Sequence, residues 1–69
     1  MSVDGLTARE REVLRLRGQG YGTREIASRL GIDPDTARKH RDNAVKRAGN
    51  GSEVATILEL DRAERTATA

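Results

Sequence analysis

The stretch REIASRLGIDPDTARKH, Arg24 to His40, decides the fold. Ile26, Ala27 and Leu30 fall at i, i+1 and i+4, one face of a short helix, and Gly31 then supplies the backbone freedom a sharp turn demands. After Ile32, Asp33 is placed to cap a further helix. Pro34 sits at its first position, where the missing N–H costs nothing, and Asp35 lies near the positive helix end. The connection GID is three residues long, and the small Ala27 lets the two helices cross closely, as in a helix-turn-helix. Such a pair projects the outer face of its second helix away from the domain, where it fits the major groove of B-DNA. Short α-hairpins also serve as plain scaffolding, so the spacing leaves both uses open.

Upstream, LTAREREVLRLRGQG, Leu6 to Gly20, pairs Thr7 with Glu10 as a capping box, which predicts a first helix from Ala8. Val13, Leu14 and Leu16 share one arc of roughly 160° on its wheel, and Gly18 and Gly20 end it. Thr23 is expected to cap the second helix, and the third runs to about Ala48. GNGS, residues 49 to 52, breaks the chain again, with Ser52 as cap of a fourth helix over about 53–64. Val54, Ile57 and Leu58 are expected on its inner side, with residues 65–69 fraying. Nothing alternates with a period of two, so the fold class is all-α, four short helices in a single domain over 1–69.

Composition narrows the function. The 69 residues contain no cysteine and a single histidine, His40, which excludes disulfide and thiolate-metal chemistry and leaves no expected metal or cofactor. No apolar stretch approaches a membrane span and no leader pattern opens the chain, so a cytoplasmic protein with no membrane partner is expected. Neither a nucleophile with its base nor a carboxylate cluster converges on a cleft, so catalysis is not expected. The net charge is +2, but residues 1–49 hold 11 basic against 7 acidic side chains and residues 50–69 hold 2 against 4. The basic excess thus lies with the first three helices.

LTAREREVLRLRGQGYGTREIASRLGIDPDTARKHRDN resembles the LuxR/GerE-type helix-turn-helix domain of bacterial transcription regulators, from Leu6 to about Gly49. LTAREREVL, REIASRLGI and the trio Thr36, His40 and Asn43 carry the resemblance. It implies a four-helix domain that binds promoter DNA and dimerises through its last helix. His40 matches an inner, structural histidine of the family, and Tyr21 a position that is usually apolar and packed.

On a helical wheel, Ala37, His40, Ala44 and Ala48 form the inner side of the third helix. Asp35, Arg38, Lys39, Asp42, Asn43 and Lys46 form the outer side, with Thr36 at its edge. Arg38 and Lys39 match the family's base- and backbone-contacting positions, and their chemistry suits guanine and phosphate. Thr23, Arg24 and Thr36 stand at helix N-termini where the family meets phosphate, although capping alone also accounts for both threonines. Lys46 and Arg47 are expected to add phosphate contacts. The plain alternative is a solvated face stiffened by the pairs Asp35 with Lys39 and Arg38 with Asp42. Arg41, nearer the inner side, is expected to pair with Glu10.

Three departures from the family pattern matter. Ala37, Ala44 and Ala48 replace larger apolar residues, so the helix is held by less buried area. Asp42 puts an acid in the groove-facing side, where it accepts from cytosine N4 or orients Arg38 and Lys46. Glu53 stands where a basic residue is common.

The expected partners are double-stranded DNA and a second copy of the chain, through a homodimer seam of Thr56, Leu60, Ala63 and Ala67. No receiver or ligand-binding domain fits this length, and Met1 favours a complete, stand-alone regulator over a fragment. Two alternatives remain: a protein-interaction module that binds another transcription regulator or an RNA polymerase subunit, and a promoter-reading sigma-factor C-terminal-like domain.

Overall fold

The computed structural model describes residues 3–49 and 51–68, the last two through their backbone alone. A 3-10 turn, Val3–Gly5, precedes α1 (Ala8–Gly18), α2 (Thr23–Leu30), α3 (Pro34–Ala48) and α4 (Glu53–Thr68). No strand occurs among the described residues.

Local chemistry sets most helix ends. Thr7 Oγ1 accepts from the Glu10 amide at 3.1 Å while Glu10 Oε1 accepts from the Thr7 amide at 3.0 Å, the reciprocal box that starts α1. Gly31, at φ 69° and ψ 34°, ends α2. Its amide donates to the Ser28 carbonyl and the Ile32 amide to the Ala27 carbonyl, so the orphan acceptors of the last turn are satisfied and the chain is redirected into α3. Asp33 Oδ2 accepts from the Asp35 amide at 3.0 Å, with Pro34 next in line. The cap of α2 differs from expectation. Gly22 occupies it in an extended conformation, φ −78° and ψ 166°, and Thr23 is the first helical residue with no capping bond from its side chain.

The core has two aliphatic clusters that α1 and α3 both enter. Val13 packs with Ile26, Ala27 and Ala37, flanked by Leu16, Tyr21, Leu30 and Ile32. Leu14 packs with Val3, Leu6, Ala44, Ala48 and Leu60, flanked by Ile57 and Ala63. The alanine line of α3 is fully buried and brings the helix backbone close to α1 and α2. Each methylene absent there forgoes about 0.8 kcal/mol of burial. The radius of gyration, 11.2 Å, is nevertheless close to the roughly 11 Å that scaling gives a compact chain of this length.

Helix α4 corrects the expectation most. Ser52 caps it as expected, its Oγ accepting from the Ala55 amide at 3.0 Å, but the helix continues through residues 65–68; Ala69 lies outside the described residues. Its inner side is not the one carrying Val54 and Leu58, which are 68% and 58% exposed, whereas Thr56 is fully buried and Leu60 nearly so. Ala63 packs on the same cluster with Ile57. Contacts with α1 fix this rotation, and the hydroxyl that it buries is satisfied within α4 and its cap. Thr56 Oγ1 donates to the Ser52 carbonyl at 2.7 Å, so its hydroxyl is buried without loss. Ile57 lies against Gly18, where an added Cβ would stand 3.0 Å from Cγ2. Arg17 and Arg15 of α1 bind Glu53 at 2.8 Å and Glu64 at 2.9 Å, carboxylates at i and i+11 on one face of α4. The expected dimer seam is therefore corrected: Thr56, Leu60 and Ala63 serve the chain's own core, and Ala67 lies outside the described side chains.

Candidate nucleic-acid interface

The turn at Gly31 leaves α3 with one face against α1 and α2 and the other in solvent. Asp35, Thr36, Arg38, Lys39, Asp42, Asn43 and Lys46 are all exposed, while Ala37, Ala44 and Ala48 are buried and His40 is half-buried. At 100° per residue the outermost line is Asp35, Lys39, Asp42 and Lys46, at i, i+4, i+7 and i+11, so charge alternates along it.

The ion pairs on this face differ from the i, i+4 set expected. Arg38 Nη1 lies 3.1 Å from Asp35 Oδ1. Asp42 engages Arg41, not Arg38 or Lys46, with Arg41 Nη2 3.0 Å and Nε 3.1 Å from the same Oδ1. Arg41 therefore does not pair with Glu10. That carboxylate, 3% exposed, takes Arg47 instead, with Nε 3.4 Å from Oε2. Arg47 is placed at the end of α3, six residues beyond Arg41, where its guanidinium meets Glu10 in the first turn of α1. Its guanidinium shares its charge with an acid instead of standing free toward a phosphate.

Arg24, Lys39 and Lys46 form no ion pair among the described residues, so cations without an internal counter-charge occur on the helix-turn-helix. Arg24 is exposed and Thr23 half-buried at the N-terminus of α2, and Thr36 is exposed in the first turn of α3. Since Gly22 and Asp33 hold the two cap positions, capping does not engage either threonine hydroxyl. Behind this face, Arg29 lies over the Tyr21 ring, 4.1 Å from its centroid, which commits that ring to packing and a cation–π contact. Arg17, hydrogen-bonded to Glu53 and further favoured by its charge against the opposing effect of burial, is held above its ordinary pKa and stays charged. No cluster of His, Cys, Asp or Glu suited to a metal ion occurs among the described residues, and none of their helices is long and apolar enough to cross a membrane.

A short α2, a left-handed glycine turn and a solvent-facing α3 define a helix-turn-helix protein. Residues 4–60 match the family model for bacterial regulatory proteins of the luxR family. The spore germination protein GerE of Bacillus subtilis (strain 168) is 44% identical over 57 residues, 83% of this chain and 77% of GerE. The transcriptional regulatory protein UhpA of Escherichia coli (strain K12) is 41% identical over 51 residues, 74% of this chain and 26% of UhpA. The transcriptional regulatory protein MctR of Rhizobium johnstonii is 48% identical over 46 residues, 67% of this chain and 22% of MctR. The chain thus spans about a quarter of UhpA and most of GerE. No solved structure gives a significant match. The chain belongs to the luxR family of bacterial regulatory proteins.

Proposed function

We propose that this chain regulates transcription by placing α3 in the major groove of double-stranded DNA, as a homodimer in the cytoplasm. The observation that carries the reading is the outer side of α3, where Lys39 and Lys46, with no ion pair among the described residues, share the face with Arg38 while the alanine side is buried. Arg38 and Lys39 are the base and backbone contacts, Asn43 lies on the flank, and Thr23, Arg24 and Thr36 meet phosphates at the helix starts. Arg47 is a secondary phosphate contact because Glu10 shares its charge.

For self-association the exposed side of α4 is the better seam. Val54 and Leu58 are the large hydrophobic side chains left open among the described residues, and two copies meeting there would remove both from water. The test of DNA reading is selection from a randomised duplex pool, followed by affinity for the enriched site over a salt series, with Arg38→Ala and Lys39→Ala beside the parent. Loss of specific binding in both variants is expected. Equal binding by all three proteins overturns the reading.

A further inference from the structure

Asp42 is the residue that a phosphate-binding helix explains least. It sits near the middle of the outermost line of α3, one turn from Lys39 and one from Lys46, and a bare carboxylate there repels the DNA backbone. The geometry around it removes that objection. Both contacts from Arg41, at 3.0 and 3.1 Å, fall on Oδ1. They offset the charge and hold the side chain, and leave Oδ2 outside the pair; the Asp42 side chain is 54% exposed while that of Arg41 is 24% exposed. The cation thus stands on the inner flank and the acceptor on the groove side. Asp35 is treated alike by Arg38, but it also belongs to the first turn, where the helix dipole already accounts for an acid. Asp42 is far from that end.

We infer that Asp42 is a specificity-determining residue that accepts a hydrogen bond from the N4 amino group of a cytosine in the major groove, with Arg41 as its positioning residue; this rests on α3 reading DNA as proposed above. A carboxylate only accepts, so it rejects the O6 and N7 of guanine and the O4 of thymine. Adenine offers an amino group too, but it is flanked by acceptors on both sides, its own N7 and the O4 of the paired thymine, whereas the cytosine donor has the paired guanine's O6 on one side and only the ring C5–H on the other. The alternation along α3 then becomes a pattern of reading: donors at Lys39 and Lys46 seek guanine or phosphate, and the acceptor between them seeks the opposite strand sense, a C·G pair.

The test selects duplex sites with the parent, Asp42→Ala, Asp42→Asn, Arg41→Ala and Arg38→Ala, each checked for helical content by circular dichroism, and then measures affinity for every base at the position concerned. In the parent, replacing the cytosine by thymine lowers affinity roughly tenfold or more. Asp42→Ala binds random DNA more tightly yet discriminates less than about twofold at that position. Asp42→Asn shifts the preference toward adenine, to which an amide donates and accepts in parallel. Arg41→Ala still prefers cytosine but discriminates it less sharply than the parent, because Asp42 is no longer held, and parent-like discrimination in this variant removes the positioning role. If Asp42→Ala gains affinity equally for all four bases, or every Asp42 variant enriches the parent's site unchanged, the inference falls while Arg38→Ala still reports on α3. If the parent enriches no site, or Arg38→Ala binds as the parent does, the reading of α3 falls and the inference with it.

Discussion

Arg47 Nε stands 3.4 Å from Glu10 Oε2, so the last turn of α3 is tied to the first turn of α1 through a carboxylate that is 3% exposed. The other oxygen of the same carboxylate closes the capping box with the Thr7 amide. One buried acid thereby fixes where α1 begins and how the far end of α3 lies across it.

Substitutions at Glu10 separate the two roles. Glu10→Gln retains an oxygen for the Thr7 amide and loses only the charge partner, with an expected cost of about 0.5–1 kcal/mol. Glu10→Ala removes cap and partner together, with about 1.5–3 kcal/mol expected. Urea denaturation of both variants checks the order; equal losses would show that the cap contributes nothing, and an unchanged Glu10→Gln that Arg47 contributes nothing through Glu10.

The observed rotation of α4 predicts opposite outcomes for two leucines of the same helix. Leu60→Ala, in the core, is expected to cost about 2–4 kcal/mol. Leu58→Ala, more than half exposed, is expected to change monomer stability by no more than about 0.5 kcal/mol. A reversal of that order in thermal or urea melts would restore the side first expected from the sequence.

Self-association reports on the same side of α4. Leu58→Asp and Val54→Asp place charges at the exposed apolar positions and are expected to weaken the dimer at least tenfold, about 1.4 kcal/mol. Sedimentation equilibrium over a concentration series measures it. A parent that stays monomeric at high concentration removes the homodimer from the functional reading.

What the sequence made readable was what local chemistry decides. The Thr7–Glu10 box, Gly31, the Asp33–Pro34 start and the Ser52 cap each act within a few residues, and each appears where expected. The outer side of α3 was readable for a related reason, since three alanines spaced along one side mark it as the side of close approach. α4 was not, because its core side is built from Thr56 and Ala63 as much as from Leu60, and burying Thr56 depends on a bond to its own backbone. The choice of partner by each arginine was also out of reach. Arg15, Arg17 and Arg47 reach carboxylates on distant helices, and Arg41 turns to its sequence neighbour, a spacing that does not face across a helix and is closed here by side-chain length.

The turn between α2 and α3 rests on one backbone conformation. Gly31 has φ 69°, and although an added Cβ would meet open space, an L side chain resists that region. Gly31→Ala is expected to lower stability by about 1–2 kcal/mol. Gly5→Ala, in open space without a positive φ, is expected to change it by no more than about 0.5 kcal/mol. Comparable melts for the two variants would contradict the part assigned to Gly31.

Salt dependence distinguishes the unpaired cations from the paired ones. A phosphate contact releases counterions, so removing one flattens the slope of log affinity against log salt by about 0.9. Arg24→Ala and Lys46→Ala are each expected to produce about that change, because neither cation forms an ion pair among the described residues. Arg47→Ala should change the slope less, since its guanidinium is already shared with Glu10. Arg15→Ala removes a cation of the α1–α4 clamp, away from α3, and should leave the slope as it is while lowering thermal stability. Fluorescence anisotropy on one enriched duplex between low and moderate salt measures all four. An equal drop for Arg15 and Lys46 would mean that binding follows net charge alone and that the outer side of α3 has no special part in it.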